Sequence, residues 1–281
     1  MFTLNCRGHL LVVDKPLVMG IINATPDSFY PGSRFQGLDE IVAKVEEMLA
    51  DGADIIDIGG QSTRPGSKRI NEEEESKRLI VPIKELIKRF PRIIISVDTY
   101  YSGLARIAVQ EGASIVNDVS NGTFDKNMLP VVASLSVPFI CMHIQGTPET
   151  MQEEPGYENL TREMLDFFIQ RKKVCIESGI KDIIIDPGFG FGKTIDHNFE
   201  LLKNLSIFKV AECPLLVGLS RKATVYKTLR VSAEEALNGT TVLNTIALLN
   251  GANILRVHDV KEARQAIELV QKTVVRKVHE L

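Results

Sequence analysis

Short runs rich in Val and Ile alternate along the chain with segments whose apolar residues recur at helical spacing. Eight runs read as strands: Val18–Ile22, Asp54–Ile58, Ile93–Val97, Ser114–Asn117, Pro138–His143, Asp182–Asp186, Leu215–Leu219 and Asn253–Val257. They are apolar on both faces, the pattern of a parallel sheet covered by helices. Between them, Leu38–Leu49 sets Leu38, Ile41, Val42, Val45, Met48 and Leu49 on one helical face. Asn71 before a run of Glu suits a helix N-terminus, through capping and the helix dipole. Ser232 and Glu235 have capping-box spacing, and the final unit from Asp259 carries Val260, Ala263, Ile267, Val270 and Val274 on one stripe. Eight strand–helix units predict an α/β chain closed into a (β/α)8 TIM barrel rather than an open sheet. Phe2–Asp14, with turn chemistry around Gly8, predicts a short β-hairpin within residues 1–16, plugging the closed end. No linker, low-complexity tract or repeat calls for a second domain, so 1–281 is expected to be a single domain.

Composition changes this picture mainly by exclusion. The 281 residues are enough for one such barrel, and 44% hydrophobic with 25% charged residues is ordinary for a globular chain. A formal charge of −3 gives no field drawing the molecule to nucleic acid or an anionic membrane, so a bound anion needs a local cluster of cations. The basic runs are short and lack interleaved aromatics, which also argues against nucleic acid. Cys6, Cys141, Cys175 and Cys213 show neither metal-ligand spacing nor a paired framework. Met1–Pro16 lacks the signal-peptide pattern, and no apolar run is long enough for a bilayer. A cytoplasmic address is expected.

The unusual residues gather at the ends of the strands. Asn23-Ala24-Thr25-Pro26-Asp27-Ser28 follows the first, and Gly59-Gly60-Gln61-Ser62-Thr63-Arg64-Pro65-Gly66 the second. Asp98-Thr99, Asn117-Asp118 and Met142-His143 end the next three. Asp186-Pro187-Gly188-Phe189-Gly190-Phe191-Gly192-Lys193, Ser220-Arg221-Lys222 and Arg256-Val257-His258-Asp259 end the last three. In a closed barrel all eight converge on the rim where barrel enzymes place their chemistry.

Each residue taken alone has a plainer reading. Asp98 suits a helix cap, Asp186 a turn, Asn23 and Asn117 the tying of loop backbones, and His143 packing or loop structure. Arg64, Lys222 and Arg256 each suit a solvated surface; together they suit an anion site, with His258 as a further donor or a core ring. Gly192-Lys193-Thr194 matches the end of a phosphate-binding P-loop, but the motif's first Gly would fall at Pro187, which rejects it. No zinc-protease or serine-hydrolase pattern appears. The residue types fit a flat polar heterocycle held by Asp98, Asn117, Asp186 and Lys222. A phosphate or pyrophosphate would sit by Asn23, Arg64, Arg256 and His258, together with Mg²⁺ on hard oxygen ligands.

The ordered set of strand-end blocks, from Met19–Phe29 to Arg256–Val260, resembles the dihydropteroate synthase family of pterin-binding barrel enzymes across nearly the whole chain. The resemblance implies condensation of 6-hydroxymethyl-7,8-dihydropterin pyrophosphate with 4-aminobenzoate in folate biosynthesis, giving 7,8-dihydropteroate and pyrophosphate by a dissociative, Mg²⁺-assisted route. It implies a pterin pocket of Asp98, Asn117, Asp186 and Lys222 with Met142 nearby, and Asn23 on Mg²⁺. Arg64, Arg256 and His258 would hold pyrophosphate, with Thr63 and Ser220 beside the aminobenzoate. The catalytic set is then Lys222, Asp98, Arg64, Arg256 and His258. A homodimer and sulfonamide targeting belong to the same resemblance. Gln61 stands where the family usually has Glu, and Gln145 where Arg is frequent. The alternatives are a corrinoid-dependent pterin methyltransferase domain, which has no pyrophosphate to hold, and a non-catalytic pterin-binding paralogue.

Overall fold

A computed structural model describes residues 1–24, 34–61, 69–147, 150–151 and 155–274. The chain opens with an antiparallel hairpin, β1 (Phe2–Cys6) and β2 (His9–Val13), with Cys6 opposite His9. Its two turn residues, Arg7 and Gly8, have φ of 54° and 87°, which twists the turn the way the strands themselves twist. Asn5 accepts the Gly8 N–H at 2.6 Å, and its own N–H donates to Asp182 at 2.7 Å, fastening the hairpin beneath the barrel.

Eight parallel strands follow: β3 (Leu17–Asn23), β4 (Ile55–Gly59), β5 (Ile95–Asp98), β6 (Ile115–Asp118), β7 (Phe139–Met142), β8 (Ile183–Asp186), β9 (Leu216–Val217) and β10 (Ile254–Val257). They lie in the order β8-β7-β6-β5-β4-β3-β10-β9. A parallel bridge between Ile185 and Leu215, with Ile185 N–H donating to Pro214 O at 3.0 Å, joins the two ends into a barrel. The seventh barrel strand is shorter than its apolar run predicts; at its start the Leu215 N–H donates to the Asn253 side chain at 2.9 Å instead of to a neighbouring strand. The covering helices are α1 (Arg34–Ala50), α2 (Glu72–Arg89), α3 (Ser102–Gln110), α4 (Met128–Leu135), α5 (Leu160–Glu177), α6 (Ile195–Lys203), α7 (Ala223–Leu229), α8 (Leu237–Leu249) and α9 (Val260–Val274). A 3₁₀ helix, Leu205–Ala211, follows α6.

Local signals in the sequence act as expected. Asn71 caps α2 by accepting the Glu74 N–H at 2.9 Å. Ser232 and Glu235 exchange bonds of 3.0 and 3.3 Å, but they close a turn, and α8 begins only at Leu237. Val260, Ala263, Ile267 and Val270 bury the inner stripe of α9.

Two apolar layers hold the barrel. Outside the strands, Val18, Ile56, Val97, Val116 and Phe139 meet helix residues such as Val45, Leu79, Leu104 and Phe168. Inside, Met19, Ile55, Ile115, Ile140, Ile184, Leu216 and Ile254 form a floor with Leu4, Cys6 and Val13 of the hairpin. Each such side chain contributes about 1.5–3 kcal/mol on burial. Successive strand residues alternate faces, so the next inward position lies two residues further along. Those residues are Ile21, Asp57, Asn117, Met142, Asp186, Gly218 and Arg256. One step above an aliphatic floor, the interior turns polar.

Candidate active site

Asp57 sits at the centre of this polar layer with no exposed surface. Its carboxylate accepts from Arg256 Nε at 2.7 Å and from Asn117 Nδ2 at 3.3 and 3.2 Å. Arg256 Nη2 also reaches Asp57 at 2.6 Å and Asp98 at 3.0 Å. A buried carboxylate needs such partners, because an unpaired one would be too costly to desolvate. Burial works against the charge of Arg256, but Asp57 and Asp98 outweigh it and hold the guanidinium ionised. Two carboxylates share one guanidinium, leaving negative charge in excess. Burial first, and then Asp57, push the Asp98 carboxyl well above the usual range, with Arg256 opposing.

Asp186 ends β8, buried, and accepts the Gly188 N–H at 2.8 Å. Burial raises its pKa; Lys222 and the Gly188 N–H oppose the rise. Lys222 Nζ donates to Phe189 O at 2.6 Å and lies 4.6 Å from the centre of the Phe191 ring. Burial brings the Lys222 pKa down to about 8, against the pull of Asp186. Met142 belongs to an apolar wall with Tyr100, Val119, Met151 and Phe191 beside these groups.

Across the rim, Ser220 and His258 Nδ1 lie 3.1 Å apart, and the Ser220 hydroxyl also accepts the His258 N–H at 3.2 Å. Burial and then Arg256 lower the His258 pKa to about 4, so the ring is neutral at neutral pH. Arg221, between Ser220 and Lys222, has φ of 53° and turns away from the centre. It makes a two-pronged pair with Asp259 at 2.9 and 2.8 Å and donates to Ala233 O at 2.9 Å, locking the ends of β9 and β10 together.

Of the residues singled out in sequence, the described structure thus gathers Asp98, Asn117, Met142, Asp186, Ser220, Lys222, Arg256 and His258 at one end of the barrel. Asn23 ends β3 on the same side, opposite Gly59 in register, with an exposed side chain. Thr63 and Arg64 lie outside the described residues. Arg256, which its strand-end position suggested as an anion ligand, stands in the structure as counter-ion to two carboxylates. His143 has a structural environment: it stacks edge-on to Phe167 at 4.7 Å and sits 3.0 Å from Lys193 Nζ. Gln61 accepts from Tyr100 Oη at 2.7 Å and Ile70 N at 3.1 Å. Gln145 exchanges hydrogen bonds with the backbone of Gly156 at 3.1 and 3.3 Å, a loop tie that an Arg could not make in both directions. Asp57 was missed, although a lone Asp inside Ile55-Ile56-Asp57-Ile58 was a readable signal. Among the described residues no cluster of His, Cys, Asp or Glu could by itself hold a metal ion.

The barrel and the polar pocket at one end of it define a barrel enzyme with its site on the strand ends. Residues 19–258 match the family model of the pterin binding enzymes. Dihydropteroate synthase of Escherichia coli (strain K12) is 40% identical over 269 residues, covering 95% of each chain. Dihydropteroate synthase of Yersinia pestis, solved with a sulfonamide drug, superposes with a TM-score of 0.91 at 39% identity, covering 97% of this chain and 99% of that one. That of Xanthomonas albilineans, solved with 7,8-dihydropteroate, gives 0.87 at 34% identity, covering 98% and 100%. The chain belongs to the dihydropteroate synthase family of pterin binding enzymes.

Proposed function

We propose that this protein is a dihydropteroate synthase, joining 6-hydroxymethyl-7,8-dihydropterin pyrophosphate to 4-aminobenzoate to give 7,8-dihydropteroate and pyrophosphate. The observation that carries the reading is the polar layer of Asp57, Asn117, Asp186 and Arg256, flanked by Asp98 and Lys222, in a chain of this family. The pterin edge presents both donors and acceptors, which Asp98, Asn117, Asp186 and Lys222 can complement, while Met142 packs on the ring.

Arg64, Arg256 and His258 take the pyrophosphate, and Thr63 and Ser220 the aminobenzoate. Asn23 would offer a side-chain carbonyl oxygen to Mg²⁺, a hard ligand suited to that ion. Bound there, the ion supplies charge neutralisation for the leaving group. The C–O bond from the pterin methylene to pyrophosphate breaks with its electron pair on the departing oxygen. The aromatic amine then forms the new C–N bond and releases a proton. Asp57, Asp98 and Asp186 stand beside the ring, and carboxylates placed there favour positive charge developing on the pterin.

The same reading takes residues 1–281 as one domain, acting as a homodimer in the cytoplasm. Free, buried Cys6, Cys141, Cys175 and Cys213 suit a reducing compartment. No helix among the described residues is long and apolar enough to cross a membrane. Incubation with Mg²⁺, the pterin pyrophosphate and 4-aminobenzoate tests the proposal. Dihydropteroate and pyrophosphate should appear in equal amounts; the absence of both from a folded protein would refute it.

A further inference from the structure

Lys193 closes the Gly-rich stretch that fails as a phosphate loop, and the reaction above gives it no task. It is 2% exposed, burial lowers its pKa to about 7 against the pull of Asp186, and its Nζ has three acceptors within reach. These are Gly188 O at 3.1 Å, Phe191 O at 3.0 Å and His143 Nδ1 at 3.0 Å. Burial, and then the Lys193 charge, drive the His143 pKa down to about 3, so its ring is neutral and free to accept. Lys193 therefore braces a loop from inside and faces no substrate phosphate.

What that loop carries gives the brace its meaning. Gly188 N–H holds one oxygen of Asp186 at 2.8 Å. Phe189 O receives Lys222 Nζ at 2.6 Å, and the Phe191 ring lies against the same ammonium. Gly188 and Gly192 have φ of 66° and 62°, and a Cβ on either would fall 2.0 Å from His143 O or 2.6 Å from Gln145 O. The loop is pressed against the end of β7 with little freedom. Two of the three Lys193 bonds end on Gly188 and Phe191, the residues that contact Asp186 and Lys222.

We propose that Lys193 is a positioning residue that fixes, through the Gly188–Gly192 loop, where the Asp186 carboxylate and the Lys222 ammonium meet the pterin. The inference rests on the reading of Asp186 and Lys222 as pterin-binding groups. The pyrophosphate side is built separately, since Arg221 and Asp259 fasten Ser220 and His258 without this loop. A lysine that only filled space would, when replaced, lower stability and weaken all ligands alike.

Lys193→Met keeps the unbranched stem and removes the three donors. Calorimetry with a pterin lacking the pyrophosphate should show affinity lower by roughly 3- to 30-fold, with Mg²⁺–pyrophosphate affinity changed less than about twofold. Unchanged pterin affinity in the folded variant, or equal loss for both ligands, would overturn the proposal. Should Lys193→Met fail to fold, a pair at its acceptor decides. His143→Asn keeps an acceptor near Nδ1 and should retain pterin affinity, whereas His143→Leu should lose it; equal behaviour of the two overturns the proposal. Wild-type protein that bound no pterin would overturn the active-site reading as well, which separates that failure from this one.

Discussion

Lys222, half-buried, and Glu75, buried, are both ionisable residues near Asp98, yet their expected behaviour differs. Lys222 keeps carboxylates in range and a carbonyl at 2.6 Å, so its charge is matched to a ligand site. Lys222→Ala should leave the fold intact and lower turnover about a hundredfold, the cost of a charged hydrogen bond of ~2–3 kcal/mol in the transition state. Steady-state rates beside thermal unfolding check this, and full activity in the folded variant removes Lys222 from the mechanism. Glu75 on α2 has the Thr99 hydroxyl at 3.1 Å, and burial followed by Asp98 raises its pKa to about 8. Because the folded value lies above the ordinary 4.5, its stabilising effect is complete below that pH and fades as pH climbs through about 8. Glu75→Gln should therefore be more stable than wild type at pH 8.5 and lose less on going from pH 5 to pH 8.5. The difference in slope is at most about 1.4 kcal/mol per pH unit. Urea denaturation at several pH values reads it; parallel pH profiles for the two proteins would rule out the buried-carboxyl account.

At the scale of elements, parallel strands buried on both faces write themselves as apolar runs, which is why all eight were legible. Strand-end polarity likewise revealed Asp98, Asn117, Asp186 and Lys222, because barrel ends face a common rim. The fold shows how each side chain is directed. Ser220-Arg221-Lys222 offers two adjacent cations, and only the positive φ of Arg221 in the folded chain decides that Arg221 turns out to Asp259 while Lys222 turns in. Asp57 escaped for the opposite reason: it lies inside a run, and its inward direction follows from counting by two from Ile55 onto the floor layer. The consequence is testable. Asp57→Asn leaves Arg256 one carboxylate instead of two and should destabilise the protein by about 1–3 kcal/mol while weakening pterin binding. Arg221→Ala, which opens the tie between β9 and β10, should instead weaken Mg²⁺–pyrophosphate more than pterin. Titration of both variants with both ligands distinguishes them, and an identical ligand profile would mean that the two networks are not separate.

At the scale of the whole molecule, exposed aliphatic residues on α7 and α8 stand out among the described residues. On α8, Val242, Ile246 and Leu249 are 50%, 36% and 58% exposed, on the face opposite the buried Leu243, Ala247 and Leu248. Leu229 at the end of α7, 51% exposed, stands beside them, because Gly239 lets α7 approach so closely that a Cβ there would fall 2.6 Å from Leu229. Four aliphatic side chains on adjoining helices form an exposed apolar patch, and contiguous patches of this kind mark association surfaces. A homodimer related by a two-fold axis would bury the same patch of both copies against itself. Light scattering should give twice the 31.2 kDa chain mass at tens of micromolar protein. Val242→Asp combined with Leu249→Asp places unpaired carboxylates in such an interface and should shift the protein to monomer with its helical signal intact. Catalysis should survive in that monomer, since Asp57, Asp98, Asn117, Asp186, Lys222 and Arg256 all belong to one barrel. A wild-type protein that runs as a monomer at these concentrations, or a double variant that remains dimeric, would assign the α8 patch to something other than self-association.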